Sequence, residues 1–293
     1  MAQLAHRLPD NADGDFYVDR TCIDCDACRQ IAPESFREHD GKSVVFRQPS
    51  GPEEARRAMM ALVACPTGSI GAAKALDRRP GVASFPERIS EDVFFCGFTS
   101  ESSFGAWSYL VSRPPARGGN VLVDSPRFAA PLVARIEAMG GLSTLFLTHR
   151  DDVADHEKFA RRFACKRYLR ESDGAARLGV EEPWGGEDPL EIGGDLLAIP
   201  TPGHTRGHSV LLYRNKYLFT GDHLAWSPSR EGLTAFRSAC WYSWERQIRS
   251  MRRLLDFSFE WVLPGHGRIH QASPSAMRAS LERCIRWMEQ QAD

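Results

Sequence analysis

Apolar and polar positions along the chain fall into two regimes. Up to about residue 75 the apolar runs are short. Phe16-Tyr-Val18 and Ser43-Val-Val-Phe46 read as brief strands, the second placed by the Asp40-Gly41 turn signal. Glu53–Cys65 carries Ala55, Met59, Leu62 and Val63 on one face of a helix. From about residue 90 strands and helices alternate. Strands are expected at 93–98, 108–112, 120–124, 145–148, 166–169, 195–199 and 261–264, with a hairpin of 209–213 and 217–220 around Asn215-Lys216. Helices are expected at 131–139, 155–164, 244–255 and 275–290. Between the regimes, Arg78-Arg-Pro80-Gly81 and Pro86 have the composition of a linker. The pattern therefore predicts a frayed start at 1–13, a small domain at 14–75, a linker at about 76–89 and a larger domain at 90–293.

Chemistry gathers where the strands of the larger domain end. The run Leu145-Phe-Leu-Thr148 stops at His149-Arg-Asp-Asp-Val-Ala-Asp-His156, with two histidines and three aspartates in eight positions. Three further strand ends carry Thr201-Pro-Gly-His204-Thr-Arg-Gly-His208, Gly221-Asp222-His223 and Pro264-Gly265-His266-Gly267. Neutral imidazole and carboxylate are ligands for Zn, Fe or Mn. Glycine beside a ligand lets the backbone turn sharply and approach a metal without a Cβ clash. A solvated loop would use Lys and Glu, and a single buried histidine would be a satisfied core residue. Four such strand ends in one chain point to a metal centre.

The eight cysteines divide in the same way. Cys22-Ile-Asp-Cys25-Asp-Ala-Cys28 and the later Cys65-Pro66 form one pattern, while Cys96, Cys165, Cys240 and Cys284 are scattered and read as small apolar residues. Three thiolates at a spacing of three, with a fourth before proline, match iron–sulfur ligation. A structural zinc site more often uses two separated pairs. Composition changes this picture little. At 42% hydrophobic and 26% charged the chain is ordinary for a globular protein, and a net charge of -1 supplies no footprint for nucleic acid or an anionic membrane. No apolar run is long enough to span a bilayer, and the first ten residues lack a signal-peptide core, so a cytoplasmic location is expected.

Residues 14 to 75, with Cys65-Pro-Thr-Gly-Ser-Ile70 after the helix, resemble a bacterial-type ferredoxin carrying one cluster. The resemblance implies that Cys22, Cys25, Cys28 and Cys65 hold one [4Fe-4S] cluster. Over roughly 90 to 270 the order His-rich loop, Pro-Gly-His-Thr, Gly-Asp, Pro-Gly-His resembles the metallo-β-lactamase superfamily. The implied fold class is α+β / α/β: a ferredoxin-like domain followed by a four-layer αββα sandwich with a dinuclear metal site. Carried over by position, His149, His204 and Asp222 bind one or both metals, and Asp155, His156 and His266 bind the second, with Asp222 bridging. Asp124 corresponds to an orienting residue and His208 to the outer histidine that holds a ligand. Two extra residues interrupt the first motif. Anchored on His149, its middle ligand is Asp151, with Asp152 as competitor.

Two divalent ions (Fe, Zn or Mn) beside a [4Fe-4S] cluster leave three readings. In the first, slightly preferred, the cluster exchanges electrons with the dinuclear site in redox chemistry on a small molecule, fed by a possible redox partner protein. In the second, a hydrolase acts on esters, thioesters or lactones, with Asp155 and Asp222 as its catalytic carboxylates and a structural or oxidant-sensing cluster. The third is an electron-transfer or sensor protein without catalysis. Trp226, Trp241, Tyr242, Trp244 and the Phe104-Gly-Ala-Trp107 loop are candidate pocket walls, and Arg206 a candidate for an anionic substrate.

Overall fold

The computed structural model describes residues 1–291; the last two positions of the span expected for the larger domain lie outside the described residues. Contacts group the chain into two units, one of Met1–Leu110 with Pro126–Gly141 and one of Val111–Ser125 with Leu142 onward.

The first unit starts with β1 (Phe16–Val18), α1 (Ala27–Ile31), β2 (Phe36–His39), β3 (Lys42–Val45), α2 (Pro52–Ala64) and β4 (Ile70–Ala72). β1 and β4 pair antiparallel with Val18 opposite Ile70, which closes the two ends of the segment on each other. β2 and β3 form a hairpin whose turn places Gly41 at φ +67°. α2 opens on Pro52 with Glu53 and Glu54 in its first turn, where the amide dipoles favour negative charge. Its buried face centres on Met59, Met60 and Leu62, while Ala55 and Val63 are only partly covered.

The stretch expected as a linker is instead ordered structure. α3 (Arg79–Ala83) packs on α2 so tightly that a Cβ on Gly81 would stand 2.5 Å from Met59 Cγ. β5 (Glu87–Ser90) then pairs antiparallel with β6 (Val93–Phe95). The Pro-Gly composition serves close packing there, which composition alone does not distinguish from a linker. β6 stops earlier than expected because Gly97 and Phe98 take φ values of +64° and +46°. β7 (Tyr109–Val111) and α4 (Ala130–Ala138) follow, with Leu132 and Ile136 of α4 buried.

The second unit holds two sheets. β8 (Val121–Val123), β9 (Thr144–Phe146), β10 (Lys166–Arg170) and β11 (Glu182–Trp184) run parallel, with Phe146 opposite both Val123 and Tyr168; α5 (His156–Phe163) connects β9 to β10. The other sheet draws on β12 (Leu190–Glu191), β13 (Leu196–Pro200), β14 (Ser209–Tyr213) and β15 (Tyr217–Gly221). After the ribbon of β16 (Ala225–Ser227) and β17 (Gly232–Thr234) and helix α6 (Trp244–Arg253), β18 (Trp261–Pro264) and β19 (His270–Gln271) complete it. The order is β12-β13-β14-β15-β18-β19, antiparallel except for the parallel β15–β18 pair. Ile199, Val210, Leu212, Leu218 and Val262 share a core with Ile248 and Met251 of α6 and with Met277, Leu281, Ile285 and Met288 of α7 (Pro274–Gln290). Each such buried side chain contributes about 1.5–3 kcal/mol by leaving water. That core holds the strands rigid, and the C-terminal ends of β8, β9, β13, β15 and β18 run into the loops that carry the polar motifs. No helix among the described residues is long and apolar enough to cross a membrane.

Candidate functional site

Asp124 leaves β8 with φ +55° and accepts both the backbone N–H of Thr148 at 2.8 Å and its hydroxyl at 3.0 Å. With its proton on Asp124, Thr148 Oγ1 is the acceptor for His149 Nδ1, 2.9 Å away. This assigns the ring proton to Nδ1 and aims the Nε2 lone pair into the site. Burial pushes the pKa of His149 down to about 4, so the imidazole is neutral, the form that ligates a metal.

Three imidazole Nε2 atoms surround Asp222 Oδ2: His204 at 3.7 Å, His149 at 3.8 Å and His266 at 3.9 Å. Asp151 Oδ2 lies 3.4 Å from His204 Nε2 and 4.0 Å from His149 Nε2, and Asp152 Oδ2 also lies 4.0 Å from His149 Nε2. Two sets have ligand atoms within 4.8 Å of one another, His149 with His204 and Asp222, and Asp152 with Asp222 and His266. Asp222 belongs to both. Glycine beside them gives the carboxylates room, since a Cβ on Gly265 would stand 2.8 Å from Asp152 Oδ2 and 2.9 Å from Asp222 Oδ1.

These residues fit divalent metal. His149 Nε2, Asp152 Oδ2 and Asp222 Oδ1 are buried without a hydrogen-bond partner, an expensive state for a carboxylate or an imidazole unless a cation satisfies it. Burial, then the neighbouring Asp222, raises Asp152 well above the usual carboxylate range. Burial raises Asp124 to about 8 against the bonds from Thr148, with Asp222 adding to the rise. A cation would offset this crowding of acids.

His149, Asp151, His204, Asp222 and His266 are therefore gathered in one place. Asp155 and His156, expected as ligands of the second metal and Asp155 as a catalytic carboxylate, are not gathered there. Asp155 stands at the start of α5 and pairs with Lys158 at 2.7 Å, while His156 Nδ1 lies 3.0 Å from Arg167 Nη1. The two extra residues form a turn, with Ala154 at φ +31°, that carries the helix start away from the site. Asp152 instead stands with Asp222 and His266, and Asp151, less than half exposed, sits beside His204.

The outer residues hold these loops. His208 Nδ1 lies 2.9 Å from Thr201 Oγ1, and its ring stacks on the buried His223 with centroids 5.3 Å apart. Gln247 Nε2 donates to the His223 carbonyl at 3.0 Å, and Ser250 Oγ to that of Pro202 at 2.7 Å, so α6 buttresses two ligand loops. Sequence reasoning missed Asp173. It is buried and accepts from Thr205 Oγ1 and the Gly207 amide at 2.6 Å each and from the Arg150 amide at 3.1 Å. Its one signal is an aspartate before Gly174, which also reads as a plain turn. Of the candidate walls, Trp241 and Tyr242 donate their amides to the His204 carbonyl and stay exposed, at 63% and 46%. Trp226 stacks on His270 at 3.5 Å and Trp244 packs edge-on against Trp287, so both are packing residues. Arg206 is exposed.

In the first unit, Cys22, Cys25, Cys28 and Cys65 line one cavity with Val18 and Ile70. Amides of Asp24 and Ser43 donate to Cys22 Sγ at 3.5 and 3.4 Å, and that of Ser69 to Cys65 Sγ at 3.3 Å. Sulfurs receiving backbone amides in an apolar cavity are the arrangement an iron–sulfur cluster requires. Burial raises Cys25 to about 12, so iron loading must expel its proton.

Comparison with known proteins agrees with both halves. Residues 18–72 match the family described as the 4Fe-4S single cluster domain of Ferredoxin I. Among curated proteins the chain is 31% identical over 113 residues to a hydroxyacylglutathione hydrolase of Acidiphilium cryptum (strain JF-5), covering 37% of this chain and 46% of that one. It is 33% identical over 97 residues to YobT, an uncharacterized protein of Bacillus subtilis (strain 168), covering 31% and 42%. The chain thus spans under half the length of each of these relatives. Among solved structures it resembles the DIM-1 metallo-β-lactamase (TM-score 0.54, 22% identity, 70% of this chain and 96% of that one). The metallo-β-lactamase from Pontibacter korlensis gives a TM-score of 0.52 at 20% identity, over 69% and 97%. The chain joins a single-cluster ferredoxin segment to a domain with the metallo-β-lactamase fold.

Proposed function

We propose that this protein is a metal-dependent hydrolase of the ester, thioester or lactone class whose ferredoxin segment carries a [4Fe-4S] cluster on Cys22, Cys25, Cys28 and Cys65. The observation that carries the reading is the convergence of His149, His204 and His266 on one oxygen of Asp222, beside Asp152, with buried polar atoms that lack partners. His149, His204 and Asp222 would hold one ion and Asp152, Asp222 and His266 a second. Divalent metal bound there supplies Lewis acidity, acidifying a coordinated water and polarising an acyl oxygen. The chain's own residues do the rest. Asp124 and Thr148 keep His149 in its ligating tautomer, and Asp173 locks the His204 loop to the His149 loop. Asp151, beside His204 and less buried than Asp152, is placed to accept a proton. Asp155, engaged with Lys158, takes no part. The relative named for hydroxyacylglutathione hydrolysis supports hydrolysis over the redox reading.

A second reading rests on the donor set. Three carboxylates, Asp151, Asp152 and Asp222, stand with three imidazoles, and such a set favours Fe or Mn more than an imidazole-rich one. Iron there, in a chain that also carries a one-electron carrier, would support redox chemistry fed by a partner protein. One experiment separates the two: anaerobic metal analysis with electron paramagnetic resonance, alongside hydrolysis of ester, thioester and lactone panels in both cluster redox states. Hydrolysis that is lost on chelation and indifferent to cluster reduction supports the hydrolase. A metal-loaded protein that hydrolyses no member of the panels, and whose second-site iron changes signal as the cluster is reduced, overturns it.

A further inference from the structure

Two residues outside the matched ferredoxin segment press on the chain that carries the cysteines, and we propose that these, Gly105 and Thr99, are positioning residues for the cluster. The inference rests on the reading that Cys22, Cys25, Cys28 and Cys65 hold it. Gly105 lies with its backbone against a ligand: a Cβ there would stand 2.7 Å from Cys25 Cβ, 2.8 Å from Cys25 Sγ and 3.3 Å from Pro66 Cγ. Its φ of +82° also calls for glycine. No larger residue can occupy this place without pushing Cys25 and Pro66 aside.

Thr99 acts on the chain next to Cys65. Its side chain is fully buried, and Oγ1 donates 2.7 Å to the carbonyl of Ala64, the residue before Cys65. Arg127 Nη2 reaches the neighbouring Val63 carbonyl at 3.1 Å. The last turn of α2, which delivers Cys65, is therefore fixed by two side chains that lie beyond residue 72.

The loop is built to hold one shape. The Gly105 amide donates to Ser100 O at 2.8 Å and the Ala106 amide to Ser103 O at 2.8 Å. Phe98 and Phe104 both take left-handed backbone conformations, at φ +46° and +47°. Non-glycine residues stay in that region only where their surroundings over-determine them. Cys25 and Pro66 are part of those surroundings for this loop. A cluster that fixes Cys25 thus fixes the loop, and by reciprocity a seated loop retains the cluster.

The test uses the full chain purified without oxygen, as wild type, Thr99→Val and Gly105→Ala. Two controls accompany them: Glu101→Ala, an exposed side chain on the same loop, and Gly118→Ala, a positive-φ glycine whose Cβ would make only ordinary contacts. Cluster loss under chelator is followed by visible absorbance with iron and sulfide content. Amide exchange of residues 99–107 is compared with and without the cluster. Thr99→Val is expected to lose the cluster about five-fold faster, the net worth of one hydrogen bond. Gly105→Ala is expected to lose it faster still, and both controls should match the wild type. Exchange across 99–107 should rise several-fold when the cluster is removed. Wild-type loss rates in both variants, equal acceleration in the controls, or exchange indifferent to the cluster each overturn the proposal. A wild-type protein without iron and sulfide overturns the underlying cluster reading as well.

Discussion

The carboxylate of Asp173 accepts a 2.6 Å hydrogen bond from the amide of Gly207, so closely that a Cβ on Gly207 would stand 2.8 Å from Asp173 Cβ. Through its other oxygen Asp173 also accepts from Thr205 and Arg150, so one buried side chain spans the loops that present His204 and His149. Replacing the residues that orient metal ligands typically costs ten-fold or more in affinity. Asp173→Asn, which keeps shape and gives up the charge, is expected to weaken metal binding about ten-fold. Chelator competition reads the affinity, and cluster absorbance should not change. Unaltered metal affinity would show that the bridge is only structural.

Asp152 and Asp155 give opposite expectations. Asp152→Asn should lose metal from the set shared with Asp222 and His266. Asp155→Asn should keep full metal content, because the carboxylate serves Lys158 at the start of α5. Its stability change should stay within about 1 kcal/mol, as for a partly exposed ion pair. Metal analysis of the two proteins decides; metal lost from the Asp155 variant would restore the assignment made from sequence.

Ala at His204 or Asp222 should empty the metal site and leave the iron–sulfur spectrum intact, since the four cysteines line a separate cavity. Loss of both signals together would contradict that independence. Iron, sulfide and second-metal content measured on one sample suffice.

Acid should reveal the Arg167–Glu181 pair. Hydrogen bonds from Arg167, set against burial, hold Glu181 at about 2 instead of its ordinary 4.5. The folded pKa is depressed, so the stabilisation is present above 4.5 and is lost as pH falls from 4.5 toward 2. Side-chain exposure of 42% screens the interaction, leaving about 1 kcal/mol. Denaturant midpoints of wild type and Glu181→Gln should differ near pH 6 and converge toward pH 2. A difference that persists at low pH would mean the glutamine disturbs packing. Arg167 contacts His156, which lies outside the gathered ligands, so the variant should leave the metal site untouched.

How far this protein can be read from its residues follows from the range of the forces involved. Local pattern suffices for Cys22-x-x-Cys25-x-x-Cys28 with Cys65-Pro66, because ligand spacing and the following proline are properties of a few neighbouring residues. It suffices also for the strand-end motifs around His149, His204, Asp222 and His266, where an apolar run, glycine and imidazole lie together in the chain. Spacing alone could not say whether Asp152 or Asp155 reaches the second set. That depends on the backbone turn Ala154 adopts, which its residue type does not announce, and on the Arg167 side chain that engages His156 from β10. Asp173 went unread for the same reason: its importance lies in three donors delivered by two distant loops. Arg78-Arg-Pro80-Gly81 looked like a linker because proline and glycine serve flexible chain and close helix contact alike, and only Met59 pressing on Gly81 separates the two. Ligand types and their order along the chain were thus determined locally, while which carboxylates converge was decided by packing between residues far apart in sequence.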